Sequence, residues 1–160
     1  MYISKLIKTL NQIKIKNKEN FYKILQDKIK KKKNIFVFGN GGSATTAQHY
    51  ITDWNKMYLM HKKKRIKGIC LNENIGLLTA YSNDLSYDMV FSKQLETLME
   101  PGDLAIGITT SGNSKNVINA YKIAKKLKGD YFVLTGKNGG YFKEKKKNII
   151  KVQSDDIQII

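Results

Sequence analysis

Apolar residues at Ile3, Leu6, Ile7, Leu10 and Ile13 recur at the three-and-four spacing of a single helix face, which predicts a helix over 2–14. A polar run, Lys16-Asn17-Lys18-Glu19-Asn20, reads as a break. Phe21, Ile24, Leu25 and Ile29 then repeat the pattern to about Lys32. The chain therefore opens with two amphipathic helices. The lysines at 30–33 stand at the second helix's C-terminus, where positive charge complements the dipole.

From residue 34 the period changes. Ile35-Phe36-Val37-Phe38 is a short apolar run that predicts a strand over 34–38, followed by a helix over 43–57. A lysine-rich loop from His61 to Arg65 leads to a second strand over 66–71. Two helical stretches follow, 74–81 and 86–99, separated by Ser82-Asn83-Asp84. Pro101-Gly102-Asp103 makes a turn into a third strand, 104–108. A hydroxyl-rich loop follows it. Val117, Ile118, Tyr121, Ile123, Ala124 and Leu127 then carry a helix to about Lys128. A fourth strand at 131–134, a glycine turn at 136–140, a short basic helix and a fifth strand at 149–152 complete the pattern. Strands alternating with helices predict an α/β fold: a doubly wound, five-stranded parallel sheet covered on both faces and preceded by two N-terminal helices. At 160 residues this is one domain, with 1–33 as a helical segment and 34–160 as the α/β core.

Composition changes this picture little. A hydrophobic share of 41% and a charged share of 26% are those of a soluble globular protein. No apolar run approaches the roughly 20 residues of a membrane helix, and the N-terminus carries no signal-peptide apolar region. The single Cys70 excludes an internal disulfide, so the expected place is the cytoplasm. The net charge of +16 would fit a polyanion partner, but Arg65 is the only arginine among 29 basic residues. Arginine is the residue suited to bidentate phosphate and base contacts, so the lysine excess reads as a solvated surface. Neither a nucleic acid nor a membrane is expected as a partner.

The candidate chemistry sits in two loops. After the first strand comes Gly39-Asn40-Gly41-Gly42-Ser43 and then a helix. Glycines let a backbone approach a ligand closely, and a helix N-terminus offers unpaired N–H groups and a positive dipole end. Ser43 is placed to cap that helix, and His49 and Asp53 share one of its faces at i, i+4. After the third strand, Thr109, Thr110, Ser111 and Ser114 place four hydroxyls within six residues, with Ser114 placed to cap the next helix. Parallel sheets bind ligands beyond the carboxyl ends of their strands, where strand order reverses, and both loops have that position. The first loop lacks a P-loop lysine, and no GxGxxG follows the first strand. Taken alone, the His49–Asp53 pair reads as a surface contact, because a zinc site needs at least three protein ligands and two are visible. Asn83-Asp84 alone reads as a turn, His61 as solvated, Tyr50 and Trp54 as helix packing, and Cys70 as a buried strand residue.

GNGGSATTAQH, the Asn83-Asp84 pair, GDLAIGITTSGNSKNV and LTGKNGG resemble the sugar isomerase (SIS) domain, and within it the phosphoheptose isomerases. The resemblance runs from about residue 34 to the end, and the two N-terminal helices also fit. It implies a flavodoxin-like SIS fold. The implied enzyme converts sedoheptulose 7-phosphate to glycero-manno-heptose 7-phosphate, supplying heptose for surface polysaccharide. It further implies that Asn40, Gly41, Gly42 and Ser43 contact the substrate and that Thr109, Thr110, Ser111 and Ser114 hold its phosphate. Asn83 and Asp84 would meet sugar hydroxyls. His49 matches a residue that binds zinc in some members. Asp53 stands where many members have a glutamate that serves as metal ligand and acid/base. A homotetramer with sites between subunits is implied as well.

These residue types suit the reaction. Exchanging a ketose for an aldose moves a proton between adjacent carbons through an enediol. That takes a carboxylate or imidazole to carry the proton and an electrophile, such as zinc, to stabilise the oxyanion. The sequence departs from the family in two places. Asp53 is one methylene shorter than glutamate. The chain stops at Ile160, where the family continues into a helix with a Gln or Glu and then histidines, so a truncated C-terminus is the expectation; Gln158 is at most a misaligned stand-in. A second reading follows from that departure, a non-catalytic SIS module that binds a sugar phosphate or scaffolds a partner. A nucleic-acid-binding reading rests on net charge alone, without aromatic and basic residues interleaved.

Overall fold

Five strands form one sheet in the order β2-β1-β3-β4-β5. They are β1 (Asn34–Gly39), β2 (Lys67–Cys70), β3 (Leu104–Thr109), β4 (Asp130–Thr135) and β5 (Ile149–Lys151), and every pairing is parallel. A computed structural model describes residues 2–13, 15–61, 65–144, 147–154 and 156. The chain runs outward from β1 to β2, then crosses back over β1 to add β3, β4 and β5. Strand order therefore reverses between β1 and β3, the expected flavodoxin-like arrangement.

Side chains alternate across the sheet with the period of two. Ile35, Val37, Leu104, Ile106 and Phe132 face one side, where α2 (Ile15–Lys30) contributes Phe21, Ile24 and Leu25, and α3 (Gly42–His61) contributes Ala47 and Ile51. Phe36, Phe38, Ala105, Tyr131 and Val133 face the other side. There α5 (Val90–Leu98) brings Val90, Phe91 and Leu95, and α6 (Lys115–Lys126) brings Val117, Ala120 and Ala124. Leu78 and Tyr81 of α4 (Ile75–Asp84) pack on the same cluster. Each fully buried phenylalanine contributes about 1.5–3 kcal/mol, so the continuous apolar strands supply most of the fold's driving force. No helix among the described residues is long and apolar enough to cross a membrane.

The two N-terminal helices are present, but the break between them is not where the polar run placed it. Residues 16–20 lie within α2, and the first helix, α1 (Tyr2–Asn11), ends earlier. The polar run docks the helix. Asn17 Nδ2 donates to the Ile149 carbonyl at 2.8 Å and Asn20 Nδ2 to the Lys147 carbonyl at 2.6 Å, which ties α2 to the start of β5. Polarity there serves an anchor, not a loop. In α1, Tyr2, Ile3, Ile7 and Leu10 stay largely exposed.

Two further boundaries moved. Ser82-Asn83-Asp84 form the last turn of α4, because the Ser82 hydroxyl bonds back to the Leu78 carbonyl at 2.6 Å within the helix. The stretch at 86–99 starts with a 3-10 turn (Tyr87–Met89) before α5. In place of the short basic helix after residue 140 there is a 3-10 turn, Gly140–Phe142. Residues 145 and 146 lie outside the described residues, as do Lys14, Gln158 and Ile160.

Candidate functional site

The first loop leaves β1 at Gly39. Gly41 takes φ +55°, a left-handed conformation that costs a side-chain-bearing residue about 1–2 kcal/mol. The turn closes through Ser43 N–H donating to the Asn40 carbonyl at 3.0 Å and Ala44 N–H to the Gly41 carbonyl at 2.9 Å. Because α3 starts at Gly42, Ser43 stands inside the first turn and is not the helix cap that its position in the sequence predicted. A Cβ at Gly41 or Gly42 would meet nothing within 4 Å, so the space over this backbone is open to a ligand. Asn72 braces the loop from beside it: its side chain donates to the Gly39 carbonyl at 2.9 Å and accepts from Gly39 N–H at 3.2 Å. That pair continues the sheet beyond the end of β2.

The second loop leaves β3 at Thr109. Thr109 is buried, with its hydroxyl 3.1 Å from the Ser114 hydroxyl and accepting from Gly112 N–H at 3.2 Å. Ser114 occupies the N-cap position of α6, but its side chain makes no capping bond and turns to Thr109 instead. The exposed Ser111 hydroxyl accepts from Asn113 N–H at 3.1 Å, and the Thr110 carbonyl accepts from Gly136 N–H at 3.0 Å. Gly112 has φ +69°, and a Cβ there would lie 2.3 Å from the Gly139 carbonyl oxygen. Tyr141 N–H donates to the Gly112 carbonyl at 3.1 Å and to Asn113 Oδ1 at 3.0 Å. The LTGKNGG stretch is thus the brace beneath the hydroxyl-rich loop.

The two loops are joined to each other. Asn40 Nδ2 donates to Asn116 Oδ1 at 3.0 Å, and Asn116 Nδ2 donates to Asn40 Oδ1 at 2.9 Å. The Tyr87 hydroxyl donates to Asn40 Oδ1 at 2.9 Å. Neither Asn116 nor Tyr87 follows from sequence reasoning. Asn116 lies within the GDLAIGITTSGNSKNV stretch without a role read from it, Tyr87 opens a 3-10 turn, and only the tertiary fold brings each to Asn40. Asn83 and Asp84 end α4 three residues before Tyr87, with Asn83 Nδ2 donating to Asp84 Oδ1 at 2.8 Å.

On α3, His49 Nε2 lies 3.1 Å from Asp53 Oδ2, with the two side chains 75% and 58% exposed. The expected pair therefore exists and faces outward. Among the described residues no group of three or more His, Cys, Asp or Glu side chains could hold a metal ion. Beside the pair, Tyr50 and Trp54 stack with ring centroids 5.6 Å apart, as packing on the core predicts. Cys70 is buried in β2, and burial pushes its thiol above the usual range.

Residues 1–136 match the family model described as SIS domain. The chain belongs to the SIS domain family. It is 44% identical over 126 residues to the probable phosphoheptose isomerase of Thermoplasma acidophilum, covering 79% of this chain and 69% of that one. It is 42% identical over 142 residues to the phosphoheptose isomerase of Aliarcobacter butzleri, covering 89% and 72%. The solved structure of a phosphoheptose isomerase from Neisseria gonorrhoeae superposes with a TM-score of 0.88 at 29% identity, covering 99% of this chain and 85% of that one. Both braced loops of this SIS domain, and the helices that follow them, lie at the reversal point of its sheet.

Proposed function

We propose that this SIS domain protein is an aldose-ketose isomerase acting on a heptose phosphate, with sedoheptulose 7-phosphate as the substrate and glycero-manno-heptose 7-phosphate as the product. One observation carries the reading. The open glycine turn of the first loop and the hydroxyl loop of the second stand side by side at the sheet's reversal point, linked through Asn40 and Asn116. A phosphate at the second loop meets the hydroxyls of Thr110, Ser111 and Ser114 and the first-turn N–H groups of α6, neutral donors and a positive dipole end suited to an anion, while Thr109, expected to join them, is buried and anchors Ser114 instead. The sugar then lies over Gly41 and Gly42, where no side chain intrudes, within reach of Asn40 and Ser43. Asn83 and Asp84 supply polar partners for its hydroxyls. Holding the remote phosphate orients the carbons between which the proton moves.

Asp53 is the proposed acid/base, with His49 Nε2 3.1 Å from its carboxylate. From Gly42 to Asp53 is eleven residues of α3, about 16 Å of helix rise. That separation, together with the exposed apolar residues of α1, supports a homo-oligomer whose sites are completed between subunits; a tetramer is the size that the family resemblance implies. His49 and Asp53 are two donors of the type zinc takes. The described residues offer no third, so no step is derived through a metal. The cytoplasm and a pathway to surface polysaccharide complete the proposal.

The test is incubation of the chain with sedoheptulose 7-phosphate, with and without added zinc, following the aldose product. Product formation supports the isomerase. Binding without turnover sinks it in favour of a sugar-phosphate-binding SIS module, a reading that the two-donor set on α3 favours.

A further inference from the structure

We infer that Asn116 is a positioning residue: it sets the orientation of the Asn40 amide and so prepares one N–H donor for the sugar portion of the ligand. This rests on the proposed sugar-phosphate site and deepens it. Asn116 stands in the first turn of α6 and is only 2% exposed. Its Oδ1 accepts from Val117 N–H at 2.9 Å, which determines which end of its amide faces the helix backbone. The same oxygen accepts from Asn40 Nδ2 at 3.0 Å, while its Nδ2 donates to Asn40 Oδ1 at 2.9 Å. A side-chain amide has two acceptor sites and two donor hydrogens. Asn116 Oδ1 is thereby saturated, and turning its amide over would place an NH₂ against a backbone N–H.

The orientation passes on. With Asn116 held one way, Asn40 can meet it in one way only, NH₂ to oxygen and oxygen to NH₂. Asn40 Oδ1 is then saturated by Asn116 and by the Tyr87 hydroxyl at 2.9 Å. Asn40 Nδ2 keeps one hydrogen with no partner among the described residues, and Asn40 is half-buried at the open end of the glycine turn. A helix N–H, a buried asparagine and a loop asparagine form a relay whose last member is a fixed donor. A donor suits a sugar hydroxyl or carbonyl oxygen. The phosphate sits on the other loop. Preorganised donors add affinity because no rotamer freedom is lost on binding.

The test measures Kd by calorimetry for two probes, sedoheptulose 7-phosphate and inorganic phosphate, on the full chain. Asn116→Ala is expected to weaken the sugar phosphate about 10-fold, the scale of one misplaced hydrogen bond, while inorganic phosphate changes less than about 2-fold. The double variant Asn40→Ala/Asn116→Ala is expected to be no weaker than Asn40→Ala alone, because Asn116 acts through Asn40. Additive losses, or equal losses for both probes, overturn the inference. Should Asn116→Ala fold poorly, Tyr87→Phe removes only an exposed hydroxyl. It is expected to weaken the sugar phosphate about 3-fold in the native background and not at all with Asn40→Ala. The Asn40 side-chain amide resonances give a readout free of ligand: two well-separated, slowly exchanging signals that collapse in Asn116→Ala. Unchanged signals overturn the clamp. Wild-type protein that binds the sugar phosphate no better than inorganic phosphate, with those signals intact, overturns the functional reading alone.

Discussion

The hydroxyl of Thr109 lies 3.1 Å from that of Ser114, so the two ends of the second loop are pinned to each other. Thr109→Val keeps the shape and removes the hydroxyl. Gly112 N–H still reaches the Thr109 carbonyl at 3.2 Å, which limits the loss to about 1 kcal/mol. In a thermal melt this appears as a drop of about 2–4 °C. Sugar-phosphate affinity is expected to fall with it, since Ser114 loses its anchor.

Ser111 is the complementary case. Its side chain is exposed and, among the described residues, bonds within the loop, to Asn113 N–H at 3.1 Å. Ser111→Ala is expected to leave the melting temperature within about 1 °C while weakening a sugar phosphate about 10-fold. Calorimetry with affinity unchanged would remove this hydroxyl from the phosphate cradle.

Asp53→Asn tests the chemistry separately from the fold. With the side chain 58% exposed, stability should hold within about 0.5 kcal/mol. If Asp53 carries the proton, kcat falls about 10²–10⁴-fold with KM little changed. Full turnover by the variant would assign the acid/base elsewhere.

Ile7 and Leu10 expose about half of their surface along one face of α1. A face of this kind is expected to be covered by a second copy of the chain. Ile7→Glu with Leu10→Glu should shift the mass measured by light scattering toward the monomer while far-ultraviolet circular dichroism is retained. An unchanged assembly would place the contact elsewhere.

Cys70 supplies a pH test. Burial raises its pKa, so the unfolded chain ionises first as pH rises. Stability from this group is therefore complete below the free thiol's pKa of about 8.5 and declines as pH climbs from there toward the folded value. Alkylation at neutral pH should be slow in native protein and fast in denaturant. Rapid labelling of the folded chain would contradict the burial.

Much of the architecture was legible in advance. Ile35 to Phe38 form β1 because a strand buried on both faces needs an unbroken apolar run, and such a run is visible in one dimension. The two polar loops were legible as loops, since Gly/Ser/Thr/Asn clusters between periodic segments mark turns; it was their shared place after strands one and three that set them apart from ordinary turns. The polar run at 16–20 misled because polarity marks a need for hydrogen bonds and does not name the partner. The carbonyls of Lys147 and Ile149 lie more than a hundred residues away in sequence.

By itself, the sequence determined the alternation of elements, the identity of the two loops and the pairing of His49 with Asp53, all local properties of period and spacing. Tertiary structure alone decided that Ser43 lies inside its helix, that the Ser114 hydroxyl turns from its N-cap position to Thr109, and that Gly139 braces Gly112. It also decided that Asn116 and Tyr87 converge on Asn40. Those contacts depend on which strands become neighbours. That choice is made by the burial of the whole sheet, not by any residue that benefits from it.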